Sequence, residues 1–118
     1  MSNAVYYVSY KLKRGASVPG FLLASERLNN EHISKQKGYI SWKQLYDKKK
    51  DRWADYCTFE TMDDLNNFLE VSKNPGELAL KFYSFMKRNP FHFRTHFFIV
   101  EKVTENKARC NLCDCLSL

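Results

Sequence analysis

Between residues 5 and 12 the chain reads VYYVSYKL, aromatic and β-branched almost throughout, and KRGAS follows with turn chemistry. This pattern predicts a first strand. Ser17 then stands as an N-cap with Pro19 in the first turn, which predicts a helix to about His32. Its packing stripe is Val18, Phe21, Leu22, Ser25 and Leu28, at spacings of three and four, and Glu26, Arg27, Asn30 and Glu31 fall mostly off it. GYISWKQLY (38–46) and RWADYCTFE (52–60) read as two strands joined by DKKKD, a hairpin whose lysines also discourage edge-to-edge pairing. Thr61 with Asp63 and Asp64 caps a second helix with Met62, Leu65, Phe68 and Leu69 inward. KNPGE interrupts it, Leu78, Phe82, Phe85 and Met86 mark a further helical segment, and FHFRTHFFIVEKV (91–103) is a fourth strand.

The order strand, helix, strand, strand, helix, strand predicts an α+β, ferredoxin-like βαββαβ domain over residues 1–103, with helices on one face of a four-stranded antiparallel sheet. A flexible, cysteine-containing tail at 104–118 follows. The strands are apolar on both faces. Strand one places Val5 and Tyr7 opposite Tyr6, Val8, Tyr10 and Leu12, and strand four places Phe91, Phe93, Phe97 and Ile99 opposite Phe98 and Val100. A sheet wet on one side alternates more cleanly. The second face is therefore expected to meet a second copy of the chain, sheet against sheet, in a homodimer.

At 118 residues there is room for one core. The first apolar stretch lacks a basic segment before it, and no run approaches the ~20 apolar residues of a membrane span, so a cytoplasmic protein is expected. The net charge of +6 raises nucleic-acid binding. Its densest run, Lys48, Lys49 and Lys50, sits at the hairpin tip, where a solvated turn accounts for it, and nucleic acid is not an expected partner.

Gly38 before an aromatic strand containing Trp42, Asp55 in the next strand, and the aromatic–Glu–Thr helix start at Phe59–Thr61 give the stretch GYISWKQLYD…RWADYCTFETMDDLNNFLE. It resembles the dimeric α/β-barrel superfamily, in particular its antibiotic-biosynthesis-monooxygenase-like branch, over residues 5 to about 103. The resemblance implies two ferredoxin-like subunits whose sheets close into a barrel, each with a small-molecule pocket between helices and sheet. It also implies chemistries that include oxygenation without metal or flavin, because an electron-rich substrate activates oxygen itself. Haem degradation within the superfamily uses an Asn, a Trp and an iron-ligating His. The corresponding places here hold Val8 or Ser9, Phe68 and about Leu78, so that ligand is missing.

For chemistry, His92, Arg94 and His96 alternate on strand four and project from one face roughly 7 Å apart. His92 and His96 are the candidate catalytic pair, with a neutral imidazole accepting a substrate proton. Arg94, Trp42, Tyr56 and Trp53 are the candidate substrate-binding residues, and Tyr46 could extend the aromatic wall. The alternative is that this basic set lies on the subunit interface. The histidines are too far apart on a strand to chelate one ion, so no metal is expected, and the resemblance implies that no cofactor is needed. Asp55, a carboxylate inside a strand, must be paired or wet, and a salt bridge to Arg94, Arg52 or a helix-end base is expected ahead of a catalytic role. Cys57 is read as a small core residue.

The tail, CNLCDCLSL, holds Cys110, Cys113 and Cys115. Three thiols are one short of a closed zinc site. Cys115 stands fourth from the end in a C-a-a-X form, and the two upstream cysteines resemble the palmitoylated positions of Ras-type tails, so the three are lipidation candidates, the alternative being an inert, disordered tail. Two function classes follow: a cofactor-independent oxygenase acting on an electron-rich aromatic substrate, or a non-enzymatic binding or scaffolding dimer held peripherally on membranes by a lipidated tail.

Overall fold

The computed structural model describes residues 2–88 and 93–104. Its elements are β1 (Ala4–Tyr10), α1 (Val18–Glu31), a 3-10 turn (Ile33–Lys35), β2 (Tyr39–Asp47), β3 (Arg52–Phe59), α2 (Met62–Val71), α3 (Glu77–Tyr83) and β4 (Arg94–Ile99). The four strands form one antiparallel sheet in the order β2-β3-β1-β4, the ferredoxin-like arrangement expected from the element order. The tail cysteines Cys110, Cys113 and Cys115, and His92, lie outside the described residues.

Local chemistry explains the boundaries. Ser17 accepts a hydrogen bond from the Gly20 amide, with Pro19 in the first turn of α1. Thr61 accepts from the Asp64 amide at the start of α2, where Asp63 and Asp64 also complement the helix dipole. At the β2–β3 hairpin, Asp47 accepts from the amides of Lys49 and Lys50, so the lysine run forms the turn. After α3 the chain pairs with residues 11–13, through Lys13 to Phe85 and Lys87 to Lys11, which ties the helical layer to the end of β1.

The core lies between the helices and one sheet face. Tyr10, Phe21, Phe59 and Leu65 are fully enclosed. Phe21 is its hub, with ring centroids 5.1 Å from Trp53, 5.4 Å from Phe82, 6.0 Å from Phe85 and 6.2 Å from Tyr10. On α1 the buried set is Phe21, Ala24, Ser25 and Leu28, whereas Val18 and Leu22, expected inward, are each 42% exposed. Ser25 is inward as expected, donating to the Phe21 carbonyl and accepting from Gln44 on β2, and Ala24 is buried beside it. β4 is exposed along its whole length.

Gly38 has φ +79°, and a Cβ there would press into the carboxylate of Asp64, which is buried at the start of α2. This one residue sets the approach of α2 to the β2–β3 edge, and the Gly38 carbonyl accepts from the Glu60 amide at 2.7 Å. Gly38→Ala is expected to lose about 2–4 kcal/mol of folding stability in urea titration, from the left-handed backbone and the steric contact together. Gly15→Ala has φ +76° but open space around it and loses less.

Candidate functional site

The strand register divides the candidate residues between two faces. On the helix-covered face, β1 presents Tyr6, Val8 and Tyr10, and β3 presents Asp55 and Cys57, with Val8 opposite Asp55. On β2, Trp42 pairs with Cys57 and Gln44 with Asp55. On β4, Thr95 pairs with Val8. These side chains, Gln44 excepted, floor a cavity of about 320 Å³ roofed by Leu28, Phe68, Leu69, Phe82 and Tyr83, with Phe93 at one side. That is the small end of the range for ligand pockets.

Asp55 sits at the base of this cavity, only 6% exposed. Tyr10 donates its hydroxyl to Asp55 Oδ1 at 2.7 Å. Burial pushes the carboxyl up to about 7 from its ordinary 3.8, against the opposing pull of Tyr10, Trp42 and Gln44, which favour the ionised form. The phenols facing it are acids held in their neutral form. Burial, then Asp55, raises Tyr10. Tyr6 is raised by burial and then by Tyr83 and Asp55, and Tyr83 by burial and Asp55. Burial likewise raises the Cys57 thiol, so it is an inert core residue rather than a nucleophile. Trp42 stacks edge-on to Phe82 at 5.3 Å. Its buried indole Nε1 is near enough to favour the Asp55 carboxylate, yet it closes no hydrogen bond. An orphaned donor and a carboxyl poised between charge states thus share one apolar chamber.

The residues read from sequence do not converge on this chamber as a set. Trp42 lines it. Trp53 is on the same sheet face but one register step away, packed between Phe21 and Tyr46, and does not line the cavity. Arg94, His96 and Tyr56 are on the opposite face. Arg94 pairs with Ser9, and His96 with Tyr7, whose other neighbour is Tyr56. His96 lies 6.0 Å from the Tyr7 ring and 5.9 Å from Phe98, and Lys43 stands over Tyr56. A shallow depression there gathers Tyr7, Ser9, Arg52, Arg94 and His96. One substrate cannot touch both groups through an intact sheet.

The expected ion pair of Asp55 is also corrected. Arg52 is on the open face, donating to the Ser9 hydroxyl at 2.9 Å and to its carbonyl, and Arg94 shares that face. Asp55 is held instead by a phenol. Sequence reasoning passed over Tyr6, Tyr10 and Tyr83. The signal available was the period-two spacing of Tyr6 and Tyr10 on β1, which acquires meaning only once the register places Val8 across from Asp55. Among the described residues no cluster of three or more His, Cys, Asp or Glu side chains is placed to hold a metal ion, and no helix is long and apolar enough to cross a membrane.

No protein-family model and no curated protein sequence matches the chain. Solved structures do match its fold. SnoaB, a cofactor-independent oxygenase from Streptomyces nogalater, superposes with a TM-score of 0.67 at 12% identity, over 90% of this chain and 100% of that one. A monooxygenase from the gene ActVA-Orf6 of Streptomyces coelicolor, in complex with nanaomycin D, gives 0.63 at 13% identity, over 89% and 93%. A dimeric ferredoxin-like protein from an uncultured marine organism gives 0.59 at 13% identity, over 90% and 94%. At such identities the likeness is one of fold, that of antibiotic-biosynthesis-monooxygenase and dimeric ferredoxin-like structures.

The raised carboxyl makes stability depend on pH with a definite sign. Asp55 binds its proton more tightly folded than unfolded, so its contribution is fully present below about pH 4 and is lost as pH rises through about 7. Asp55→Asn removes this dependence. The stability of the wild type relative to the variant is expected to fall between pH 4 and 8, by on the order of 4 kcal/mol at about 1.4 kcal/mol per pKa unit. Parallel urea titrations check it, and parallel curves for the two proteins overturn it.

Proposed function

We propose that this chain is a small-molecule pocket protein resembling antibiotic-biosynthesis-type monooxygenases, and that it acts as a cofactor-independent oxygenase on an electron-rich aromatic substrate bound beneath the helices. The observation that carries the reading is Asp55, a buried carboxyl brought to about 7 at the floor of an aromatic cavity. A base near the working pH, shielded from water, is what proton abstraction from a weakly acidic aromatic requires.

In this reading the aromatic wall of Trp42, Phe82 and Tyr83 orients the flat substrate. Asp55 removes an acidic proton, with Tyr10 holding the carboxylate in place. The electron-rich anion reduces dioxygen, and the resulting hydroperoxide loses water. In balance, a ring methylene and one dioxygen become a ring carbonyl and one water, the carbon losing four electrons and the oxygen gaining them. The unpartnered Trp42 N–H would donate to a substrate oxygen whose charge grows during the step. Arg94 and His96 have no place at this cavity. Their face, with Tyr7, Tyr56 and the half-exposed Leu45 and Phe98, is the one a second copy would cover, and the homodimer is part of this proposal.

Two outcomes are expected. Oxygen uptake with a dihydroxynaphthalene or anthrone substrate should rise with pH to a plateau, with a midpoint near 7, since the base acts ionised. It should drop by about 10²–10⁴-fold in Asp55→Asn and less in Trp42→Phe. An unchanged rate in Asp55→Asn overturns the role of the carboxylate. Light scattering at micromolar concentration should give twice the 14.0 kDa of the chain, and a 14.0 kDa species would remove the sheet-to-sheet dimer.

A further inference from the structure

A second cavity, of about 370 Å³, opens beside the first at the ends of α1 and α2 and the start of α3. Leu28, Ile33, Phe68, Ser72 and Tyr83 line both, so the two are adjacent and share a wall. The outer chamber carries the polar side chains that the inner one lacks: Glu31 and His32 at the end of α1, Asn74 before α3, and Glu77 in its first turn. Tyr83 is the one phenol common to both.

We infer that this second cavity is a vestibule, the route past Tyr83 by which substrate reaches Asp55, and that the route and chamber together accept uncharged phenolic ligands and reject carboxylate-bearing ones. The inference rests on the pocket reading above and adds the charge class of the ligand. Among the described residues lining the inner cavity there is no Lys, Arg or His. Its ionisable members, Asp55, Cys57, Tyr6, Tyr10 and Tyr83, are all acids, so a second negative charge inside would find repulsion and no counter-ion. The vestibule brings Glu31 and Glu77, with His32 as the only basic side chain on its described lining. Glu31 is partly offset by an exposed contact to Arg27 at 3.3 Å, which leaves Glu77 as the stronger of the two charges. The densest positive run, Lys48 to Lys50, is at the hairpin tip, and Arg52 and Arg94 are on the open face of the sheet. A neutral phenol faces no such penalty. Its hydroxyl can donate to Asp55, and its ring replaces water against Phe82 and Trp42.

The test is calorimetric titration of the full chain with 2-naphthol and with 6-hydroxy-2-naphthoate, which share the ring and hydroxyl and differ in one carboxylate. The naphthol is expected to bind about tenfold more tightly at pH 7.5 and low salt, the carboxylate meeting like charge at short range. In Glu31→Gln/Glu77→Gln the naphthoate should gain roughly threefold in affinity, narrowing the gap, and Tyr83→Trp should slow association of the naphthol by filling the passage. Equal or tighter binding of the naphthoate overturns the inference while leaving the pocket reading intact. A gap untouched by the vestibule variants, with association unaltered in Tyr83→Trp, overturns the route. Binding of neither probe overturns the pocket reading itself, and this inference with it.

Discussion

A carboxylate in the middle of a central strand, on the face that helices must cover, is the constraint around which the helix-side cavity is organised. Asp55 cannot leave that face, because strand alternation commits Cys57 and Phe59 to the core together with it. It cannot be left bare either, since an unpaired buried charge is costly. Among the described residues this is resolved without a cation. Tyr10 reaches it from the neighbouring strand, Gln44 and Trp42 face it from the other side, and the group titrates near neutrality in place of being permanently charged. A salt bridge would have fixed the charge and lowered the pKa. A phenol leaves the proton negotiable.

That solution shapes the space around it. Tyr10 is fully enclosed and tied to Asp55 at one end and to Phe21 at the other, so the polar floor and the apolar hub share a side chain. Phe21 in turn holds Phe82 of α3 at 5.4 Å, and Phe82 holds Trp42 at 5.3 Å. The roof and one wall of the cavity are therefore set by the same ring packing that stabilises the fold. This is how a domain with a single modest core can keep a cavity open: the aromatic rings bracing it are rigid and few in rotamers.

How much of this could be read from residues alone follows from which forces are local. The strands, the two main helices and the lysine-tipped hairpin are written in period and capping chemistry, and Ser17, Thr61 and Asp47 act within four residues of themselves. The sharing of one face by Arg94 and His96 was likewise legible from alternation. Which face that was, and what lay across from it, depends on register between β1, β3 and β4, a long-range property that no local pattern encodes. Hence Trp42 and Arg94 were grouped together although the sheet stands between them. Hence too Asp55 was expected to find an arginine, when both candidates, Arg52 and Arg94, turn to Ser9's side. The inward place of Ser25 was legible from helical period, but its partner on β2, Gln44, nineteen residues away, was not.

The two faces of the sheet then divide the chemistry by solvent. Basic and titratable side chains, Arg52, Arg94, His96 and Lys43, gather on the open face, where water or a second copy of the chain can satisfy them. The described lining of the covered cavity titrates only through acids, its phenols held neutral by their own burial, and it adds one orphaned indole N–H. Charge inside the cavity is thus available at a single carboxyl, and only above the pH at which that carboxyl gives up its proton. Among the described residues, the indole N–H of Trp42 is the buried side-chain group left without a partner, while Asp55 already accepts from Tyr10.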